Sequence, residues 1–208
     1  IYLYDIIYLG AKIMDNIYIF LYSDAYIKYD VKISPNIINH ASKYSELDFN
    51  ISVSNYYYLN SKLEKLFKSS IKELYFDEFG KPHIPNIHIS LAHTHNLFGF
   101  VICTTQDIAI DIEAINRFNN FKHINTILND LEYQEYLKSS AKSEYLANKW
   151  TTIEALSKLE GTGLNKDALK KRPNHYKNFV LNNSSVSIVS NKPIKNNIKL
   201  FIDEKEIN

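Results

Sequence analysis

The feature that most constrains the fold is an alternation over residues 108–113, where isoleucines occupy every second position. Side chains on a strand point to opposite faces in turn, so this pattern predicts a half-buried strand. Asp111 and Glu113 would then share one face. Taken alone, such a pair is more typical of a polar face exposed to water.

A second pattern predicts a helix over residues 144–160 that ends at Gly161, the residue type favoured at a left-handed helix terminus. Its apolar positions recur at helical spacing: Leu146, Trp150, Ile153 and Leu156. The same spacing places Glu154 and Lys158 one turn apart on a neighbouring face.

Together these patterns indicate a site for phosphate chemistry. Asp111, Glu113 and Glu154 would repel one another and raise one another's pKa unless a cation lay among them. Mg²⁺ suits this set, because it takes few protein carboxylates and leaves room for water and phosphate oxygens. Lys158 is suited to bind a phosphate oxygen, so the set favours phosphoryl transfer.

These runs, in order and spacing, resemble the 4'-phosphopantetheinyl transferases of the larger, surfactin-synthetase-activating type. The resemblance rests on four segments and covers roughly residues 75–165. The segments are Gly80-Lys81-Pro82, residues 89–94 (Ile-Ser-Leu-Ala-His-Thr), residues 110–113 (Ile-Asp-Ile-Glu), and residues 150–164 from Trp150 to the Gly-Thr-Gly-Leu turn.

The resemblance implies an enzyme of the holo-[acyl-carrier-protein] synthase type. Such an enzyme moves the 4'-phosphopantetheine group of coenzyme A to a serine of an apo acyl or peptidyl carrier protein. The reaction depends on Mg²⁺ and releases 3',5'-adenosine diphosphate, in fatty acid, polyketide or nonribosomal peptide biosynthesis.

The resemblance also implies a role for each site residue. Asp111, Glu113 and Glu154 are expected to hold Mg²⁺, and Glu154 to act as general base. His93 and Lys158 are expected to bind the pyrophosphate of coenzyme A, with help from Lys81 and from the hydroxyl or backbone N–H of Thr94. The residues expected to take part in catalysis are Glu154, Lys158, His93 and Asp111.

The fold implied by the resemblance is α+β, with two similar lobes in a pseudo-twofold arrangement and coenzyme A between them. Residues 1–105 would form the N-terminal lobe and residues 106–208 the C-terminal lobe with the metal site. Since one chain supplies both lobes, a monomer is expected.

Two departures from the family pattern leave a second interpretation open. Ile153 stands where the family has a lysine, and no arginine precedes Arg117 to bind the 3'-phosphate of coenzyme A. A noncatalytic homologue that binds coenzyme A or a carrier protein would show the same departures. A metal-dependent phosphohydrolase of unrelated fold would need more His or Asp residues at paired spacing.

Charge, cysteine content and hydropathy limit the partners and the cellular location that we expect for this chain. A formal net charge of +1 over 208 residues gives no broad surface for polyanions, so nucleic acid is not an expected partner. Cys103 is the only cysteine, which excludes an intrachain disulfide, and its apolar neighbours predict a core position. Acidic and basic residues interrupt the apolar run over residues 1–22, and we expect a cytoplasmic protein.

Local patterns predict the remaining elements. We expect strands over residues 17–22, 88–90, 97–104, 179–181, 186–189 and 198–202, a turn over 92–96, and helices over 59–74 and 131–137. Asp130 is the expected cap of the latter helix. Phe118 and Phe121 are either carrier-docking or core residues, and Lys166, Lys170, Lys171 and Arg172 are expected on a solvated surface.

Overall fold

A computed structural model of the chain describes residues 16–28, 33–194 and 198–207, so the apolar run before residue 16 lies outside the described part. The strands are β1 (Ile17–Ser23), β2 (Tyr75–Phe76), β3 (Pro82–His83), β4 (His88–Thr94), β5 (Leu97–Cys103), β6 (Ile108–Ala114), β7 (His175–Leu181), β8 (Ser184–Ser190), β9 (Ile198–Ile202) and β10 (Lys205–Ile207). The α-helices are α1 (Pro35–Ala41), α2 (Glu46–Lys62), α3 (Ile124–Ile127), α4 (Asp130–Lys138) and α5 (Lys142–Glu160). The α+β class is thus confirmed.

The larger sheet of the described part has the strand order β10-β9-β1-β5-β4. The central strand β1 runs antiparallel to β5 and parallel to β9, so that Phe20 lies opposite both Phe100 and Phe201. Alternate side chains of β1 enter two different apolar clusters, one beneath each face of the sheet. This double burial explains why the sequence of β1 is apolar throughout.

Besides the two-stranded pair β2-β3, the described part contains a smaller sheet of three strands, which is antiparallel and has the order β6-β8-β7. Its edge strand β6 packs beside β4, the edge strand of the larger sheet. The Ile110 backbone N–H donates a hydrogen bond of 3.2 Å to the hydroxyl of Ser90 on β4. This contact brings residues from the two halves of the chain side by side.

One long helix packs on the larger sheet and another on the smaller sheet. α2 contacts β4 and β5, whereas α5 contacts β6 and β8. Residue 105, the predicted boundary, falls between β5 of the larger sheet and β6 of the smaller one, and the division into two lobes stays a prediction. β9 and β10 lie in the larger sheet although they come from the end of the chain.

The predicted helix over residues 59–74 was misplaced. The helix α2 begins at Glu46, where the Ser45 hydroxyl accepts a hydrogen bond from the Asp48 backbone N–H. A π-helical turn follows α2, and Lys68 then takes a left-handed conformation with φ 54°, which ends the helical run. The periodicity of residues 59–74 therefore spans a helix end, a left-handed residue and a short 3-10 turn.

The boundaries of four elements also differ from prediction. β4 continues through Ala92, His93 and Thr94, so that the turn before β5 is shorter than expected. Asn129, rather than Asp130, caps α4, because its side chain accepts from the Glu132 backbone N–H while the Glu132 carboxylate accepts from the Asn129 N–H. β7 and β8 are longer than the predicted 179–181 and 186–189.

Several local predictions are confirmed. β1 and β9 occupy the expected segments, α5 ends at Gly161 with φ 67°, and Cys103 is buried. Phe118 is buried in the core around α5, so the core alternative holds for it. Within the described ranges, every helix is too short or too polar to cross a membrane.

Candidate active site

A cavity of about 450 Å³ opens where β4, β6 and α5 meet. Its wall contains most of the site residues predicted from the sequence: Lys81, His93, Asp111, Glu113, Glu154 and Lys158. Thr94 is not part of this wall, although we expected it to contact a phosphate. Adjacent residues of a strand face opposite sides, so the Thr94 side chain points away from the side that His93 faces.

Lys158 links the two halves of the cavity. Its ammonium donates a hydrogen bond of 2.7 Å to Asp111 Oδ1. It also donates hydrogen bonds of 3.3 Å to the backbone carbonyl oxygens of Leu91 on β4 and Ile110 on β6. Burial lowers the pKa of Lys158, but the Asp111 carboxylate opposes this effect and the net pKa lies above the ordinary value. Lys158 is therefore a fixed positive charge at neutral pH.

Asp111 is buried, with 4% of its surface exposed, and its two oxygens differ. Oδ1 accepts from Lys158, whereas Oδ2 finds no hydrogen-bond partner among the described residues. A buried carboxylate oxygen without a partner is costly, and a cation at that position would satisfy it. This orphaned oxygen is the feature that fits a metal ion.

Glu154 lies on α5 one turn before Lys158 and faces the same cavity. Burial and then the Asp111 carboxylate raise the pKa of Glu154 to about 7, while Lys158 acts in the opposite direction and Glu113 adds a smaller increase. Repulsion from the Asp111 and Glu113 carboxylates thus adds to burial in raising this pKa.

Glu113 is oriented differently from the expectation for a metal ligand. Its Oε2 forms an ion pair with the guanidinium of Arg117, and its Oε1 accepts a hydrogen bond of 3.0 Å from the Ala114 backbone N–H. Over residues 16–28, 33–194 and 198–207, no three His, Cys, Asp or Glu side chains converge closely enough to hold a metal ion. The chemistry of the donor set suits Mg²⁺, but Glu113 faces Arg117 instead.

His93 stands on β4 at the cavity wall. Burial and the Lys158 ammonium lower its pKa, against the opposite influence of Asp48 and Asp111, so the imidazole is neutral at pH 7. Its Nε2 lies 3.9 Å from Asp48 Oδ1 on α2, and its ring meets Tyr44 edge-on at a centroid distance of 6.0 Å. A neutral imidazole here can donate one hydrogen bond to an anionic ligand.

Lys81 bridges the halves at the end of α5. Its ammonium donates a hydrogen bond of 3.0 Å to the backbone carbonyl oxygen of Leu159, at the C-terminal end of α5, where the helix dipole favours a positive charge. Burial lowers the pKa of the Lys81 ammonium, although the negative charges of Asp107 and Asp77 act to raise it. The Asp77 carboxylate also accepts from the Lys81 backbone N–H at 2.9 Å, which holds the turn in place.

A buried polar seam fixes α5 on the smaller sheet. The Thr151 hydroxyl lies 2.9 Å from the hydroxyl of Ser185 and 2.5 Å from that of Ser187, both on β8. Thr151 lies one turn before Glu154 and two turns before Lys158 on α5. Since all three hydroxyls are fully buried, the seam resists rotation of α5 about its axis.

Sequence reasoning missed two residues near the site and misplaced Arg172, which is not part of the cavity wall. Arg117 contacts Glu113, and the cavity wall on the α2 side includes Asn55, whose Oδ1 lacks a partner among the described residues. Arg172, expected on a solvated surface, instead donates to the Glu132 carboxylate. Arg117 and Glu113 are only four residues apart but lie in two different elements, a 3-10 turn and a strand. The contacts of Asn55 and Arg172 join distant segments, so none of the three follows from the periodicity of one element.

Comparison with known families bears on the C-terminal half of the cavity. Residues 107–203 match the model of the 4'-phosphopantetheinyl transferase superfamily. The matched segment includes Asp111, Glu113, Glu154 and Lys158, and it supports a phosphopantetheinyl transferase. Lys81 and His93 precede the match and join the site through the fold. No curated protein matches the chain significantly.

Proposed function

We propose that this protein transfers the 4'-phosphopantetheine group of coenzyme A to a serine hydroxyl of an apo acyl or peptidyl carrier protein, releasing 3',5'-adenosine diphosphate. The observation that supports this most directly is the convergence of Asp111, Glu154, Lys158 and His93 on one cavity. The match over residues 107–203 supports the same reaction class. We assign the protein to the surfactin-synthetase-activating, holo-[acyl-carrier-protein] synthase type, with a pseudo-twofold pair of lobes, acting as a cytoplasmic monomer.

In this proposal Lys158 and His93 bind pyrophosphate oxygens. Lys158 provides a permanent charge, and the neutral His93 provides a hydrogen-bond donor. Lys81 joins them by exchanging its hydrogen bond to Leu159 for one to a phosphate oxygen. We assign no ligand contact to the Thr94 side chain.

Glu154 is the proposed general base. The serine oxygen forms a bond to the phosphorus that bears pantetheine, the bond from this phosphorus to the 3',5'-adenosine diphosphate oxygen breaks, and Glu154 takes the serine proton directly or through water. Asp111, Glu113 and Glu154 are the proposed Mg²⁺ ligands. Bound Mg²⁺ would neutralise charge that develops on the pyrophosphate.

A second candidate is a noncatalytic homologue that binds coenzyme A or a carrier protein. Ile153 favours it, because its side chain is 1% exposed in the core around α5 and supplies no charge to the site. The described residues of the cavity wall also include no arginine for a 3'-phosphate. The pair formed by Asp111 and Lys158 favours the enzyme.

Intact-mass spectrometry distinguishes the two candidates. Apo acyl and apo peptidyl carrier proteins are incubated separately with the protein, coenzyme A and Mg²⁺. The transferase produces a phosphopantetheine mass gain, which Glu154→Gln or a chelator abolishes. Glu160→Gln is the matched control, since Glu160 lies on the same helix, is exposed and is absent from the cavity wall. Coenzyme A binding by calorimetry without a mass gain on either carrier would favour the noncatalytic homologue.

A further inference from the structure

Arg117 occupies a position beside the site that the proposed reaction does not use. It follows β6 in a short 3-10 turn, Ile115–Phe118, and its guanidinium pairs with Glu113 four residues earlier. The Arg117 side chain is 53% exposed, whereas that of Glu113 is 16% exposed. The guanidinium can therefore move into solvent if the Glu113 carboxylate binds another partner.

Both oxygens of Glu113 are engaged in this arrangement. Oε1 accepts from the Ala114 backbone N–H at 3.0 Å, and Oε2 accepts from Arg117. A divalent cation close to this carboxylate would also be repelled by the guanidinium. A cation that Glu113 shared with Asp111 and Glu154 would therefore compete with Arg117 for this carboxylate, through charge repulsion and for the lone pairs of Oε2.

The guanidinium has a second contact, on the helix that carries Glu154. Its central carbon lies 5.5 Å from the centroid of the Trp150 ring, a cation–π geometry. Trp150 precedes Glu154 by four residues on α5, and it is the only tryptophan of the chain. Arg117 thus contacts the strand and the helix of the site at once, and its displacement would alter the surroundings of the single tryptophan.

We propose that Arg117 is a positioning residue that competes with a divalent cation for Glu113. With its carboxylate paired to Arg117, Glu113 lines the same cavity as Asp111. When a cation binds, Arg117 leaves Glu113 and the face of Trp150. The inference rests on the proposed metal site, but it concerns a residue outside the proposed ligand set.

Mn²⁺ binding, followed by the electron paramagnetic resonance signal of the free ion, tests the competition without any assay of activity. Mn²⁺ is the probe because oxygen ligands accept it in place of Mg²⁺. Three proteins are compared: the unaltered chain, Arg117→Met, and Lys122→Met. Lys122 is exposed on the same connection and is absent from the cavity wall, so it controls for the loss of one positive charge.

We expect Arg117→Met to bind Mn²⁺ about three- to fivefold more tightly, the range available from an exposed ion pair. Lys122→Met should leave the affinity unchanged. Mg²⁺ addition should change Trp150 fluorescence in the unaltered chain and in Lys122→Met, but not in Arg117→Met.

Equal or weaker Mn²⁺ binding by Arg117→Met would overturn the competition, and so would equal tightening in both variants. If none of the three proteins binds Mn²⁺, the inference also fails. The mass-gain assay on carrier proteins still decides the proposed transferase activity separately, because it measures the product and not the cation.

Discussion

Glu132 offers a prediction about stability whose magnitude follows from its contacts. Its carboxylate accepts hydrogen bonds of 2.7 Å and 2.5 Å from Arg172, one of 3.1 Å from Lys149 and one of 3.0 Å from the Asn129 backbone. Arg172 in turn donates to the carbonyl oxygen of Ile127. The cluster ties α4, α5 and the chain after α5 together.

The pKa of Glu132 gives the size of the effect. Burial would raise this pKa, but the hydrogen bonds from Arg172, the Asn129 backbone and Lys149 outweigh burial and lower the pKa from 4.5 to about 2. A tenfold change in a dissociation constant is worth about 1.4 kcal/mol, so the full difference is roughly 3 kcal/mol. Solvent screening of a partly exposed cluster reduces it, and we expect Glu132→Gln to lower the free energy of unfolding by about 2 kcal/mol at pH 7.

The sign of the pH dependence follows from the lowered pKa. The stabilisation is fully present above the unfolded-state pKa of about 4.5 and is lost as the pH falls through the folded-state pKa of about 2. Urea unfolding of both proteins at pH 7, 5 and 3.5 should therefore show a constant difference at the first two values and a smaller one at the third.

Glu160→Gln is the control for this series, because the pair of Glu160 with Lys171 is exposed and should contribute less than about 1 kcal/mol. If Glu132→Gln costs no more than Glu160→Gln, or if its cost grows as the solution is acidified, the assignment of Glu132 as the charged centre of this cluster is wrong.

Two further predictions concern the polar seam and the cavity. Thr151→Val leaves the buried Ser185 and Ser187 hydroxyls without this partner, and urea unfolding should show a free energy of unfolding lower by about 1–3 kcal/mol. Thr126→Val, at an exposed threonine, is the control and should change this free energy little. Equal effects of the two substitutions would contradict the proposed role of the polar seam. Lys81→Met should weaken coenzyme A binding about tenfold in calorimetry, as expected for the loss of a charged hydrogen bond. Lys72→Met, at an exposed lysine, is the control and should leave the dissociation constant unchanged. An unchanged dissociation constant for Lys81→Met would remove Lys81 from the proposed binding residues.

The strand and the helix of the site were predictable because their signals are local. Alternation over residues 108–113 predicted β6, and helical spacing with a terminal glycine predicted α5 through Glu160. The helix α2 was misplaced because its sequence is rich in tyrosine, serine and asparagine and lacks a clear apolar stripe. The structure buries several of these polar side chains, including Ser54 and Asn55.

The site residues, like the helices and strands, were only partly predictable from the sequence. The sequence predicted that Asp111, Glu113, Glu154 and Lys158 would lie near one another, and all four line the cavity. It did not predict that Glu113 would face Arg117. The choice between a metal ion and a guanidinium depends on how the chain turns after β6, and residue spacing contains no information about that turn.

The sequence by itself determined which residues form β6 and α5 and which face of each is polar, because strand and helix periods depend only on neighbours along the chain. Only the tertiary structure decided that β4 lies beside β6, that Lys158 reaches Leu91, and that β9 joins the sheet of the N-terminal half. These contacts join residues far apart in the chain, and they depend on which apolar faces and strand edges are buried together when the whole chain packs.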